Sequence, residues 1–588
     1  MQARHIILRP LSGKEDGTGH IRRAYRLAEE LNTVRGLRCT LIVDNPDYWA
    51  SIIPGFPGRV QTAGSQSPPQ TDRDSTLVLF DNKHTDTREF LRFADYGMPI
   101  LLDDDGPARN YAPYAADSLP GPRRSPANLA SIGLLELPPS AREAEAQGRI
   151  LVCFGGGNSS GSLEAQTLRF LINSMGMAPE RLAATVSTAR EFSGVEIIHA
   201  PDNLRDELHR FGLVLCRYGL TAFEALAAGC AVITINPSPY HERLSRHVSL
   251  PSPGWVPPGG NLSPKQRRTL KALLDNPERL ISAREGVVQK LQIGVKPLKM
   301  AELICNLPVR RLGCTACGAP MPRVIARFEQ RSFYRCPNCG IMGLYRFDTR
   351  SDDYGREYFH KEYRKQYGRT YLEDFEAIKA MAKGRLRIIR KHKKKGRLLD
   401  IGCAYGPFLQ AANEFGFQVY GADVSEAAAA HVRDELGYPA ICGAFPQTNP
   451  ADEFDTSFDV VTLWYVIEHF ASLKSVLRQL PSIMEPGALL AMSTPNAAGI
   501  SARRSLKKFL AASPRDHYTL WTPRGAVKLL ARYGFRTVRI RVTGHHPERI
   551  LKGARQKTLC YQILMLVSRV FRLGDTFEIY ARRSKNNG

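Results

Sequence analysis

Four cysteines stand mid-chain as two Cys-x-x-Cys pairs, Cys314-Thr-Ala-Cys317 and Cys336-Pro-Asn-Cys339, with eighteen residues between them. Each pair is followed by a glycine, Gly318 and Gly340, which lets the turn bend so that backbone amides face the thiolates. Zinc takes four soft ligands in a tetrahedron, and this spacing supplies them. A redox Cys-x-x-Cys would instead stand singly beside a strand–helix unit. The expectation is one structural Zn²⁺ on Cys314, Cys317, Cys336 and Cys339, with no position left open for water.

A second set of chemical residues follows. Leu398-Leu-Asp-Ile-Gly-Cys-Ala-Tyr-Gly406 reads as a strand carrying Asp400, then a glycine turn into a helix over 407–415. Asp423 ends the next expected strand, twenty-three residues after Asp400. A carboxylate there can accept both ribose hydroxyls of a nucleoside cofactor, and glycines permit close backbone approach. Ala404 and Tyr405 break the Gly-x-Gly-x-x-Gly spacing of dinucleotide-binding loops. Further on come Phe458-Asp-Val-Val-Thr-Leu-Trp-Tyr-Val-Ile-Glu468-His469-Phe, Pro486-Gly-Ala-Leu-Leu-Ala-Met and Ser493-Thr-Pro-Asn496. In this order, over about residues 396–585, the segments resemble class I S-adenosylmethionine-dependent methyltransferases. That resemblance implies that Asp400, Gly402 and Gly406 surround the methionine part of the cofactor. It also implies that Asp423 binds the ribose and that Ala444-Phe445 lies along the adenine. Glu468-His469 falls where the family places polar groups near the transferred methyl. His517, in Arg515-Asp-His-Tyr-Thr-Leu-Trp-Thr-Pro, resembles the family's histidine before an aromatic residue and a helix. Imidazole titrates near neutral pH, so His469 and His517 are candidates to take a proton from an acceptor hydroxyl, against the plainer role of holding a loop. Together with the cysteine pairs and the tyrosine-rich segment 354–367, the domain looks like zinc-ribbon methyltransferases of sugar and surface-polysaccharide pathways. A sugar or glycan methyl acceptor is then implied.

The N-terminal half carries its own set. Gly13-Lys-Glu-Asp-Gly-Thr-Gly-His20 precedes an expected helix over 21–31, placing an imidazole and free amides where the helix dipole attracts phosphate. Phe154-Gly-Gly-Gly-Asn-Ser-Ser opens a second strand–loop–helix set. Cys216-Arg-Tyr-Gly219-Leu-Thr221-Ala-Phe-Glu224 comes before Tyr240-His241-Glu242, and Ile100-Leu-Leu-Asp-Asp-Asp-Gly supplies paired aspartates after a strand. The series resembles GT-B-fold enzymes of nucleotide-sugar metabolism, in particular the UDP-sugar hydrolases of pseudaminic-acid synthesis and spore-coat polysaccharide glycosyltransferase-like proteins. By that resemblance Glu224 binds the ribose of UDP and amides near Gly219 and Thr221 hold the pyrophosphate. His20 is then the base that activates water or an acceptor hydroxyl against the anomeric carbon. The chain departs from the pattern at Phe80-Asp81-Asn82-Lys83 and at Arg217-Tyr218, where smaller residues are usual.

These residues need several domains to position them, and 588 residues are too many for one core. The apolar share of 43% and charged share of 23% are those of a globular chain, not a disordered one. Alternating strands and helices predict an α/β protein: two facing Rossmann-like domains in GT-B style over 1–140 and 141–305, and a zinc ribbon over 306–350. A tyrosine-rich, basic helical linker over 351–395 and a class I methyltransferase domain over 396–588 complete it. The net charge of +24 favours anionic partners, whether nucleotide-linked sugar, nucleic acid or an acidic membrane face. The longest apolar run, 561–571, is broken by Gln562, Ser568 and Arg569 and is shorter than the ~18 residues of a membrane span. The first residues lack the apolar core of a signal peptide, so the expectation is a cytoplasmic protein. The resulting expectation is a bifunctional enzyme that hydrolyses or transfers a UDP-linked sugar and methylates a sugar acceptor. The alternative is a zinc-ribbon RNA methyltransferase with a non-catalytic N-terminal half, using the basic runs 390–397 and 503–508; no array of stacking aromatics interleaves with those runs.

Overall fold

Near-continuous apolar runs of five or six residues, alternating with amphipathic helices, build parallel sheets covered on both faces. The computed structural model describes residues 2–13, 19–50, 53, 55–64, 71–135, 137–138, 148–155, 160–185, 192–198, 204–295, 298–348, 368–551 and 558–584. Lys14 to Thr18 of the first glycine loop, 156–159 of the second, and the tyrosine-rich segment 354–367 lie outside the described residues. The chain forms two compact units, Met1–Arg311 and Leu312–Gly588.

The first unit contains two parallel sheets. The first has seven strands, β1 (His5–Pro10), β2 (Arg38–Val43), β3 (Arg59–Thr62), β4 (Thr76–Asp81), β5 (Met98–Leu102), β6 (Tyr114–Asp117) and β7 (Leu129–Ala130), in the order β3-β2-β1-β4-β5-β6-β7. The second orders β8 (Ile150–Cys153), β9 (Leu182–Ala184), β10 (Glu196–Ile197), β11 (Leu213–Cys216), β12 (Ala231–Asn236) and β13 (Gly254–Trp255) as β10-β9-β8-β11-β12-β13. In each sheet the order reverses beside the first strand, opening a crevice at the carboxyl ends of the neighbouring strands. Helix Gly19–Glu29 buries Ile21, Ala24, Leu27 and Ala28 on one stripe, beginning two residues before the expected start.

In the second unit, three antiparallel strands follow the first cysteine pair: β14 (Arg323–Phe328), β15 (Arg331–Arg335) and β16 (Met342–Arg346). Helix Phe375–Arg390 then leads into a seven-stranded sheet; it stops five residues short of the expected 395 because the chain must turn at Gly396 into β17. That sheet comprises β17 (Gly396–Ile401), β18 (Phe417–Asp423), β19 (Ala440–Cys442), β20 (Phe458–Trp464), β21 (Met484–Pro495), β23 (Phe535–Thr543) and β24 (Thr576–Arg583). Its order is β19-β18-β17-β20-β21-β24-β23. Strand β24 runs antiparallel between β21 and β23. A two-residue strand, β22 (Thr519–Leu520), leaves this domain and pairs with β16, so the cysteine-bearing sheet is completed by residues far outside 306–350. No helix among the described residues is long and apolar enough to cross a membrane.

Candidate functional site

The carboxyl edge of the seven-stranded sheet gathers the residues singled out in the sequence. Asp400, near the end of β17, is buried and accepts a 2.6 Å hydrogen bond from Thr462 Oγ1 on β20. Burial pushes its carboxyl up to about 8, against the opposing pull of the Thr462 hydrogen bond and Arg385. Gly402 has φ 75° and a Cβ there would collide with Val466; Gly406 has φ 82° and a Cβ there would press on Leu436. Ala404, the departure from the usual glycine, still adopts the left-handed region at φ 48°. That turn aims its amide at Asp423 Oδ2, 2.8 Å away, while the Ser425 amide donates to Oδ1 at 2.9 Å. The Asp423 carboxylate is therefore fixed by backbone. Phe445 is buried beside Phe470, ring centroids 6.4 Å apart.

One strand further along the edge, past the end of β20, Glu468 and His469 meet His517. One ligand-capable atom from each of the three lies within 4.8 Å of the others, a spacing that suits either a proton relay or a cation. His469 Nδ1 is 3.0 Å from Asp516 Oδ2, and the rings of His469 and His517 stand edge to face at 4.8 Å. Burial pushes Glu468 up to about 7 and, with His469 nearby, lowers His517 to about 4, so His517 is neutral at physiological pH. Asp516 went unnoticed in the sequence; its place next to His517 was the only available signal. Beyond His517 opens a groove of about 640 Å³ whose lining includes Arg504, Lys508, Phe509, Leu520 and Arg549. The charge of Arg549 is engaged by Asp575 at 2.6 Å.

Within the first unit, His20 Nδ1 lies 2.7 Å from Asp81 Oδ1 at the end of β4. Arg23, one turn further along the helix, binds Asp81 through Nε at 2.8 Å and reaches Asp103 Oδ2 and Ser118 Oγ, each at 2.9 Å. Burial alone would raise Asp81, but Arg23 and His20 hold its carboxylate well below the usual range. Arg23 and Asp81 line a small cleft, about 60 Å³, whose far wall carries Leu220 and Glu224 from helix Leu220–Ala227. The structure thus brings Glu224 to the cleft that His20 reaches through Asp81. Burial raises the Glu224 carboxyl, opposed by Arg26 and Arg205. Gly219 caps that helix in extended backbone, with nothing within 4 Å of where a Cβ would sit, and Thr221 occupies the first turn. A Cβ at Gly19 would lie 3.7 Å from Leu220 Cδ1, so the starts of the two helices adjoin. Arg23 and Ser118, which join three strand ends, were not anticipated.

Residues 371–540 match a family model described as a methyltransferase domain. Over 135 residues the chain is 33% identical to the ubiquinone biosynthesis O-methyltransferase of Bradyrhizobium sp. (strain ORS 278), covering 22% of this chain and 49% of that protein. Against the protein of that name from Caulobacter sp. (strain K31), identity is 34% over 144 residues, 22% of this chain and 50% of the other. The chain spans about half the length of the curated relatives it matches. A SAM dependent methyltransferase from Archaeoglobus fulgidus superposes on 38% of this chain and 99% of its own, at 20% identity and a TM-score of 0.28. The second unit carries a class I methyltransferase domain.

The cysteine module is built onto the methyltransferase domain. Cys314 and Cys339 have their sulfurs 3.7 Å apart, and Cys317 and Cys336 are 3.6 Å apart. Gly318 and Gly340 both take left-handed φ, 77° and 80°, closing each knuckle. The Thr315 carbonyl accepts the Lys474 amide at 2.8 Å, and the Ala316 carbonyl accepts the Tyr533 hydroxyl at 2.7 Å. On its other side the module clamps the segment that bears Asp516 and His517. Arg331 donates to the Ser513 carbonyl at 2.8 Å, the Leu344 amide to the Tyr518 carbonyl at 3.0 Å, and Asp348 pairs with Arg515 at 2.7 Å.

The buried Asp400 of the methyltransferase domain makes stability depend on pH. Its carboxyl keeps a proton up to about pH 8 when folded and loses it near pH ~4 when unfolded. The stabilisation is full below the unfolded value and disappears as pH rises through the folded one. Between about pH 6 and about pH 8, Asp400→Asn should lose about 2 kcal/mol less stability than the parent protein. Urea unfolding at both pH values measures this, and identical pH slopes would refute it.

Proposed function

We propose that the second unit transfers a methyl group from S-adenosylmethionine to a hydroxyl of a sugar or sugar-derived acceptor bearing an anionic group. The observation that carries this reading is the order of groups along one sheet edge. Asp423 and Gly402 stand at the ends of β18 and β17, His469 past β20, and the groove of His517, Arg504 and Lys508 past β21. When bound, the cofactor supplies an electrophilic methyl on its sulfonium. Asp423 would take the ribose hydroxyls on the lone pairs that Ala404 and Ser425 leave free, with Asp400, Gly402 and Gly406 around the methionine part and Phe445 along the adenine. Asp516 holds Nδ1–H of His469, leaving Nε2 as the basic nitrogen that takes the acceptor's proton as its oxygen bonds to carbon. Neutral His517 offers a hydrogen-bonding nitrogen at the groove, and Arg504 with Lys508 would hold the anion. Asp423→Ala should weaken cofactor binding about 10–100-fold by calorimetry on the full chain. Asp516→Asn should lower kcat about 10–100-fold with little change in KM, assayed against a panel of nucleotide-linked sugars. An unchanged affinity, or a loss confined to KM, would overturn these roles.

The four thiols are proposed to hold zinc. A tetrahedron with ~2.3 Å zinc–sulfur bonds sets its sulfurs about 3.8 Å apart, close to the 3.6 and 3.7 Å found. The metal would then tie both knuckles to β16 and, through β22, to the His517 segment. Cys339→Ser should therefore lower methyl transfer about tenfold or more while leaving cofactor affinity near normal. Elemental analysis that finds no zinc in chelator-free protein would refute the assignment.

The first unit is proposed to hydrolyse or transfer a UDP-linked sugar. Two helix starts adjoin, at Gly19 and Leu220, and helix N-termini favour an anion such as a pyrophosphate. Half-buried Arg217, whose buried Nε lacks a hydrogen-bond partner among the described residues, adds a cation before Gly219 and Thr221. Glu224 would bind the ribose and His20, oriented by Asp81, would be the base. UDP should raise the melting temperature of the full chain, Glu224→Ala should abolish that rise, and His20→Ala should keep it while stopping turnover. Stabilisation by another nucleotide alone would remove the uridine assignment, and none at all would remove the reading.

A further inference from the structure

The apolar run that is too short to span a membrane is not part of a core. Helix Leu559–Val570 lies between β23 and β24 and, at ~1.5 Å per residue, is about 18 Å long. Leu559, Ile563, Leu566 and Val570 recur at spacings of four, three and four, which places them on one stripe. That stripe faces outward: the four residues are 73%, 52%, 62% and 66% exposed, and Phe571 after them is 65% exposed. The opposite face is the anchored one. Ser568 is buried there, its hydroxyl 2.7 Å from His545 Nδ1. A surface helix normally turns its apolar stripe to the core and its polar residues to water. Here an apolar stripe faces water in addition to the half-buried Tyr561, Leu564 and Met565 of the anchored face, and such a patch marks an interaction surface.

Charge identifies the occupant. From Ile550 to Gly574 the sequence has five basic residues, Lys552, Arg555, Lys557, Arg569 and Arg572, and no acidic one. A second copy of the chain would bring two such segments together, each on a molecule of net charge +24. The exposed stripe is a row of aliphatic side chains without the tryptophan or tyrosine that anchors many protein partners. Aliphatic residues on one arc with arginines at its flank suit a bilayer whose headgroups are anionic. We propose that helix Leu559–Val570 seats the second unit on the surface of an anionic membrane. Leu559, Ile563, Leu566, Val570 and Phe571 enter the acyl boundary, and Arg569 and Arg572 meet phosphate headgroups.

Sedimentation of the full chain with sucrose-loaded vesicles tests this, using phosphatidylcholine alone and phosphatidylcholine with about 30 mol% phosphatidylglycerol. The protein should pellet with the anionic vesicles far more than with the neutral ones. Ile563→Asp with Leu566→Asp should cut binding about tenfold or more, whereas Ile563→Leu with Leu566→Ile should retain it. Arg569→Gln and Arg572→Gln should each cost about fivefold. Unchanged circular dichroism and cofactor affinity in these variants would show that the fold is intact. Failure to pellet with anionic vesicles, or pelleting that the aspartate and glutamine variants leave unchanged, would overturn the proposal. A dimer in sedimentation velocity that the aspartate pair converts to monomer, without vesicle binding by the parent protein, would overturn it in favour of a second copy.

Discussion

Met342 opposite Leu520 and Gly343 opposite Thr519 are the only ladder pairs between the cysteine module and the methyltransferase domain among the described residues. The segment that carries Asp516 and His517 hangs from that short ladder. His517 stands two residues before it, Asp516 three, and the Trp521–Asn496 bridge immediately after it ties the same segment to the end of β21. A two-residue strand has little stability of its own. It is held by what lies behind it: Phe333, Met342, Leu344, Leu510 and Leu520 share one buried cluster. The histidine segment is thus supported from the cysteine module and from the large sheet at once.

Buried carboxylates are accommodated here in two ways. Asp81, held ionised by Arg23 and His20, shares Arg23 with Asp103, so removing Arg23 would take the nearest cation from two buried carboxylates at once. Asp400 and Glu468 have weaker electrostatic compensation and move toward the neutral acid instead. The first arrangement rigidifies a cleft wall. The second leaves groups whose protonation responds to whatever next enters the site, because a positive charge nearby would return them to the anion.

Strand positions at 39–43, 77–80, 99–102, 213–216 and 231–235 could be read from the sequence because buried parallel strands are short runs of Val, Ile and Leu bounded by turns. The cysteine pairs stood out by their spacing, and Asp400, Asp423 and the two histidines by the resemblance that their segments carry; the structure brings the four sulfurs together and places the others along one sheet edge. What stayed hidden has no local signal. β22 is too short for any periodicity, and Arg23 looks like an exposed helical arginine until three strand ends converge on it. Asp516 acquires meaning only when the fold brings it to His469, forty-seven residues earlier. The same holds for helix Leu559–Val570, whose composition reads as core although its stripe faces water.

Strand β24 has a consequence for how the chain matures. It lies inside the sheet, paired with β21 on one side and β23 on the other, yet it follows both in sequence. On a translating ribosome, β17 to β23 would all have emerged while a slot in the middle of their sheet was still empty. The edges of β21 and β23 would then be open, and unpaired edges invite aggregation. The first unit meets no such delay, since both its sheets are complete by residue 255. Synthesis therefore presents a finished N-terminal unit joined to a C-terminal one that must wait, and chaperone demand should concentrate in the interval before residues 576–583 arrive.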